Sequence, residues 1–121
     1  MTNKTMKIGI ASYEDFKART LAIARGELKP GPDEPKVWFQ STESFAKVLS
    51  NRNRALLATI AETHPASLQE LADRTGRKTS NLSRTLKTMA RYGFVELHKD
   101  ERGRIRPEVP FRAISLELAF H

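Results

Sequence analysis

Apolar residues recur with two periods along this 121-residue chain, and the changes of period mark its elements. The clearest helical signal lies between Ser67 and Gly93. Leu68, Leu71, Ala72 and Thr75 fall at i, i+3, i+4 and i+7 of one helix, and Leu82, Leu86 and Met89 at i, i+4 and i+7 of a second. Ser67, with Glu70 three residues on, forms a capping box that starts the first helix. Gly76 supplies the left-handed residue that ends it. The second starts at Thr79 or Ser80 and covers residues 79–92, where Gly93 caps it and Phe94 can touch Met89 in a Schellman motif.

Upstream, Lys7–Ala11 is a short strand with Ile8 and Ile10 on one side, or a frayed arm. Ser12 and Asp15 open a helix over Tyr13–Arg25, with Tyr13, Phe16, Thr20, Ile23 and Ala24 as its buried stripe and Gly26 as its end. Glu27–Pro35 holds three prolines and a glycine, which excludes helix and central strand and reads as a linker. Lys36–Gln40 is a strand with Val37 and Phe39 one way and Trp38 the other. Ser41 or Thr42 caps a helix bearing Phe45, Val48 and Leu49; residues 50–53 interrupt it, and it resumes over Arg54–Thr63 with Leu56, Leu57, Ile60 and Ala61 buried. His64-Pro65 closes that segment, because a residue before proline is pushed out of helical geometry.

Downstream, Val95–Lys99 and Ile105–Val109 form a hairpin through a turn at Asp100–Gly103, with Pro107 confining the second strand to a sheet edge. Phe111–Phe120 alternates: Ile114, Leu116, Leu118 and Phe120 oppose Ser115, Glu117 and Ala119. This last strand closes the hairpin sheet, pairs with Lys36–Gln40, or crosses to a second subunit. The fold class is α+β: residues 1–35 are an N-terminal arm of short strand, helix and proline-rich linker, and 36–121 are the main domain with flanking strands.

Charge changes the picture. The formal net charge is +7, which draws a protein toward nucleic acid or anionic membranes without choosing between them. Between Gly76 and Gly93 no acidic residue occurs, whereas Arg77, Lys78, Arg84, Lys87 and Arg91 do. At 100° per residue, Ser80, Arg84, Lys87 and Arg91 lie within roughly 40° of the direction opposite the buried stripe, flanked by Asn81, Thr85 and Thr88. Either this face is merely solvated, or a polyanion supplies its counter-charges. Two helices crossing through a glycine turn, the second basic, form the helix-turn-helix pattern whose second helix enters the DNA major groove. A hairpin directly after it is a wing. Arg102, Arg104 and Arg106 cluster there, to meet the DNA backbone or minor groove, or to pair with Asp100, Glu101 and Glu108.

No apolar run approaches the roughly 20 residues that span a bilayer, and Met1–Ser12 lacks the apolar centre of a signal peptide. The absence of cysteine removes disulfide, thiolate and zinc-knuckle chemistry. The expectation is a soluble cytoplasmic protein without a membrane partner. His64, His98 and His121 have no metal or triad pattern beside them, and Glu43, Glu62, Glu70 and Glu96 fall on different elements. With no phosphate loop or dinucleotide fingerprint either, no enzyme, cofactor or metal is expected.

Given these residues, Arg54–Val109 resembles the winged helix-turn-helix domains of the MarR and ArsR groups of prokaryotic transcription regulators. LLATIAE, SLQELADRTG, SNLSRTLKTMARYGFVEL and DERGRIR carry the resemblance. The longer layout, with a KxWF-type strand before and an alternating strand after, resembles small regulators of which some are antitoxin-like and encoded beside a toxin. The resemblance implies a homodimeric repressor that sets two recognition helices about 34 Å apart on double-stranded DNA. Carried over, Thr79, Ser80, Asn81 and Arg84, with Thr85, face the bases: Arg84 fits guanine and Asn81 adenine. Arg77, Lys78, Lys87 and Arg91 meet phosphates, and Arg102 and Arg104 belong to a wing at 99–106. Lys78 departs from the small capping residue of many relatives, so either Thr79 caps or the helix start is shifted. Three partner readings stand: a DNA-binding dimer, an antitoxin-like protein whose Met1–Pro35 or C-terminal strand holds a partner protein, and a winged helix used only for protein contact.

Overall fold

A computed structural model describes residues 4–32 and 34–118. Among these, the chain is a mixed α+β protein of five strands and five helices. In order they are β1 (Thr5–Ile10), α1 (Tyr13–Ala24), β2 (Val37–Phe39), α2 (Thr42–Val48), α3 (Asn51–Thr63), α4 (Leu68–Thr75), α5 (Thr79–Arg91), β3 (Glu96–Lys99), β4 (Ile105–Glu108) and β5 (Ala113–Leu118).

The stretch read as a short strand or a frayed arm is the middle of a sheet. The order is β2-β1-β5, and both neighbours run parallel to β1. Parallel strands need a crossover between them. The α1 helix lies in the first crossover, and everything from α2 to β4 lies in the second. Met6 and Ile8 are buried at 8% and 0% exposure, whereas on the opposite face Gly9 leaves room for Trp38, whose ring would overlap any Cβ there.

The last strand departs from expectation. It pairs neither with the hairpin nor with β2, but with the other edge of β1. The register gives the reason: Met6, Ile8 and Ile10 lie beside Ile114, Leu116 and Leu118, so one apolar face continues across both strands. Ala119 and Phe120, expected in the same strand, lie outside the described residues, as does Asp33 of the proline-rich stretch.

The helices follow their caps. Ser41 and Ser44 form a reciprocal capping box at α2 (3.0 and 3.2 Å). The helix is interrupted as expected, but only at Leu49 and Ser50, so that Asn51–Asn53 already belong to α3: Ser50 Oγ accepts from the Asn53 amide at 3.2 Å, and Asn53 Nδ2 donates to the Val48 carbonyl at 3.0 Å. At α4, Ser67 Oγ accepts from the Glu70 amide at 3.1 Å, but the Glu70 carboxylate takes the N–H of Ala66 at 2.9 Å instead of that of Ser67. The end of α5 is the expected Schellman motif: Phe94 N–H reaches the Met89 carbonyl and Gly93 N–H that of Ala90, both at 3.0 Å.

The burial expected of Ala61 and of the α1 stripe is not found. Ala61 is exposed, so the inward stripe of α3 narrows to Leu56, Leu57 and Ile60. No residue of α1 is buried, and Tyr13 and Phe16 are 63% and 41% exposed. By register, the sheet face on that side offers Trp38 as its one large apolar side chain, with Phe16 6.2 Å and Arg19 5.4 Å from its ring. One ring cannot cover a helix. The main core lies on the other face, where Leu82, Leu86 and Met89 of α5 join Leu56, Ile60, Leu71, Ile8, Phe39, Phe94 and Val95.

A central position for β1 makes Ile8→Ala costly. It should lower stability in urea denaturation by about 2–5 kcal/mol, whereas in a frayed arm the same change would stay within about 0.5 kcal/mol.

Candidate nucleic-acid interface

Because Leu82, Leu86 and Met89 are fully buried, the helical period turns the opposite side of α5 outward. Ser80, Arg84, Lys87 and Arg91 are all exposed, as are Lys78 and Thr79 at its start, while Asn81, Thr85 and Thr88 form half-buried shoulders. Among the described residues no ion pair falls on α5; Arg91 Nη2 donates to Thr88 Oγ1 at 3.2 Å.

The turn into α5 is set by Gly76, at φ +73°. The helix begins at Thr79 with Lys78 as N-cap, and no side chain caps it. Neither expected alternative, a Thr79 cap or a shifted start, is observed. Lysine carries only donors and has nothing to offer the free amides of the first turn.

Arg77 does not project from this surface. It folds along α5, with Nε and Nη2 donating to Asn81 Oδ1 at 3.2 and 2.8 Å, and Nη2 also to Thr85 Oγ1 at 3.3 Å. Its Nη1 is buried without a hydrogen-bond partner. Burial first, and then the positive charge of Arg52, hold this guanidinium below its usual pKa. Arg52 was not foreseen as part of the site. The signal was Ser50: as the cap of α3 it places Arg52 in the first turn of that helix. Lys47 was missed too, and with Asn53 it lines a cleft against Arg84, Thr85 and Thr88.

The hairpin binds much of its own charge. Asp100 Oδ1 accepts the amides of Arg102 (2.9 Å) and Arg104 (2.8 Å), and Oδ2 accepts Arg104 Nε at 2.8 Å. The backbone hydrogen bond from Arg104 is the chief reason that the Asp100 carboxyl titrates below its usual range. Arg106 Nη1 and His98 Nε2 both face Glu108 Oε2, at 3.4 and 3.0 Å. Of the three arginines that the sequence offered to a partner, Arg104 and Arg106 are thus paired internally. Arg102 makes no ion pair among the described residues.

Among the described residues no group of three or more His, Cys, Asp or Glu could hold a metal ion, and no helix is long and apolar enough to cross a membrane. Residues 48–116, more than half of the chain, match the model of the family described as HVO_A0114. Neither a curated protein nor a solved structure matches the chain.

The bare N-cap yields a stability test. Lys78→Ser supplies the missing acceptor and should raise unfolding stability by about 1 kcal/mol in urea; no gain would mean that other groups already satisfy the first-turn amides.

Proposed function

The chain belongs to the HVO_A0114 family, and we propose that it is a winged helix-turn-helix transcription regulator of double-stranded DNA. In this reading α3 supports α4 and α5, α5 enters the major groove, and the β3–β4 hairpin is the wing. One observation carries it: an outer face of α5 with three exposed cations, Arg84, Lys87 and Arg91, and no ion pair among the described residues. A groove about 12 Å wide accepts such a helix and sets phosphates along its flanks. Thr79, Ser80, Asn81, Arg84 and Thr85 then face base edges, while Lys78, Lys87 and Arg91 meet phosphates and fix the register. In the wing, Lys99 and Arg102 are exposed and make no ion pair among the described residues. The reading assigns no catalytic group and no cofactor.

The regulator is further proposed to act as a homodimeric repressor. The outer edge of β5 pairs with no strand among the described residues, and Leu116 and Leu118 remain 40% and 47% exposed. Antiparallel pairing of two such edges about Leu116 would set Ile114 opposite Leu118 and keep the apolar face continuous. A second reading, that the chain is antitoxin-like and holds a partner toxin, is favoured by α1, whose Tyr13, Phe16 and Leu21 are 63%, 41% and 43% exposed.

Fluorescence anisotropy on the protein's own upstream region, against random DNA at two salt concentrations, tests the DNA reading. Wild type should prefer the upstream fragment at both. Arg84→Ala should reduce that preference by about 1–3 kcal/mol with folding unchanged. Lys87→Ala should weaken both fragments alike and lower the salt slope by about one. Failure to bind either fragment at low salt would end the reading. In sedimentation, Leu116→Glu should convert a dimer to monomer; an unchanged dimer would place the interface elsewhere.

A further inference from the structure

The grip of Arg77 on Asn81 has chemical content beyond packing. A guanidinium offers five N–H donors and no acceptor. The atom of Asn81 that meets it must therefore be the carbonyl oxygen, whichever way the amide is drawn. Oδ1 receives two bonds, from Nε at 3.2 Å and Nη2 at 2.8 Å, which occupy both of its lone pairs. What Asn81 still has to offer is Nδ2, with two donors. The same Nη2 takes Thr85 Oγ1 as acceptor at 3.3 Å, which leaves that hydroxyl its proton to give.

Asn81 and Thr85 stand one turn apart, with Arg84 exposed between them. Arginine, too, only donates. With the two side-chain oxygens occupied, this part of α5 presents donors. Adenine displays N7 as acceptor and N6 as donor in the major groove, so the two-point asparagine–adenine pair needs both an N–H and a free oxygen. Guanine displays two acceptors, N7 and O6.

We infer that Arg77 is a positioning residue that sets base preference: by holding Oδ1 of Asn81 and Oγ1 of Thr85 it leaves donors alone facing outward, so that Asn81 selects guanine rather than adenine. The inference rests on the proposed DNA reading and sharpens it, replacing the adenine partner that the resemblance suggested for Asn81. It also gives Arg77 a part other than that of a phosphate contact. The guanidinium is half-buried and already committed to three hydrogen bonds, which is the state of a brace.

Selection of the full chain on a randomised pool of double-stranded DNA decides the matter, with thermal melts as the folding control. The position read by Asn81 is the one at which Asn81→Ala loses preference. Wild type should favour guanine over adenine there by about tenfold or more. Arg77→Ala frees Oδ1 and should erase or reverse that preference at this position alone, an effect that general destabilisation would not produce. Asn81→Asp keeps an oxygen for Arg77 but loses the outward N–H donors, and should also lose the guanine preference, so the test stands even if Arg77→Ala fails to fold. Adenine at the Asn81-dependent position, a preference untouched by either substitution, or an indifferent Asn81→Ala would each overturn the inference. A pool in which wild type enriches no sequence would remove the DNA reading itself, and the inference with it.

Discussion

The arrangement depends on the stacking of Phe39 against Tyr92 and Phe94. The ring centroids lie 4.8 and 6.3 Å away, with planes within 22° and 2° of parallel, and Phe39 is 4% exposed. Aromatic pairs of this kind contribute about 0.5–1.5 kcal/mol beyond the burial of their area. Their position matters more than their sum. Phe39 belongs to the sheet, whereas Tyr92 and Phe94 flank the glycine that ends α5. Since the Schellman hydrogen bonds tie Phe94 to Met89, the stack fixes both where α5 ends and how it is rotated about its axis. Which residues point outward at Ser80 and Arg84 is thereby settled at the opposite end of the helix, by hydrocarbon.

The start of α5 shows the reverse economy. Arg77 and Lys78 bring positive charge to the end of the helix where the unpaired amides are already electropositive, and the first turn contains neither an acidic residue nor a side-chain cap. Nη1 of Arg77 is buried without an acceptor, and Arg52 adds a like charge to its field. Each of these features is locally unfavourable. They occur together at one end of one helix, where local consistency gives way. The other helices end differently, with Ser12, Ser41, Ser50 and Ser67 as N-caps that accept a backbone amide.

What could be read from the sequence was what is local. Leu82, Leu86 and Met89 announce their helix by spacing, Gly76 and Gly93 its limits, and the exposure of Arg84, Lys87 and Arg91 follows by rotation. The sheet was not legible in this way. Lys7–Ala11 is short and contains a glycine, and its partners are residues 37–39 and 113–118, so nothing near β1 reveals that it is central. Ser50–Asn53 marked the break between α2 and α3, but not that Ser50 caps the second helix, so that Asn51–Asn53 lie inside it. At the candidate site, periodicity located Asn81 and Thr85 but could not show that Arg77 turns back onto them, which is a matter of rotamer and burial. Arg52 and Lys47 arrive from other helices; Ser50 as a cap pointed to Arg52, and nothing in the spacing pointed to Lys47.

The position of β1 also governs the order in which the molecule can come together. During synthesis β1 is made before either neighbour; β2 follows after one short helix, but β5 only after more than a hundred residues. Until then one edge of an apolar strand has its amides and carbonyls open, the condition in which strands pair with the wrong chain. The helices and hairpin between β2 and β5 draw largely on neighbours close in sequence and form quickly, whereas the sheet must wait to close a very long loop. Assembly thus has two tempos, and the slower belongs to the sheet whose Phe39 packs against the end of the helix proposed to read DNA.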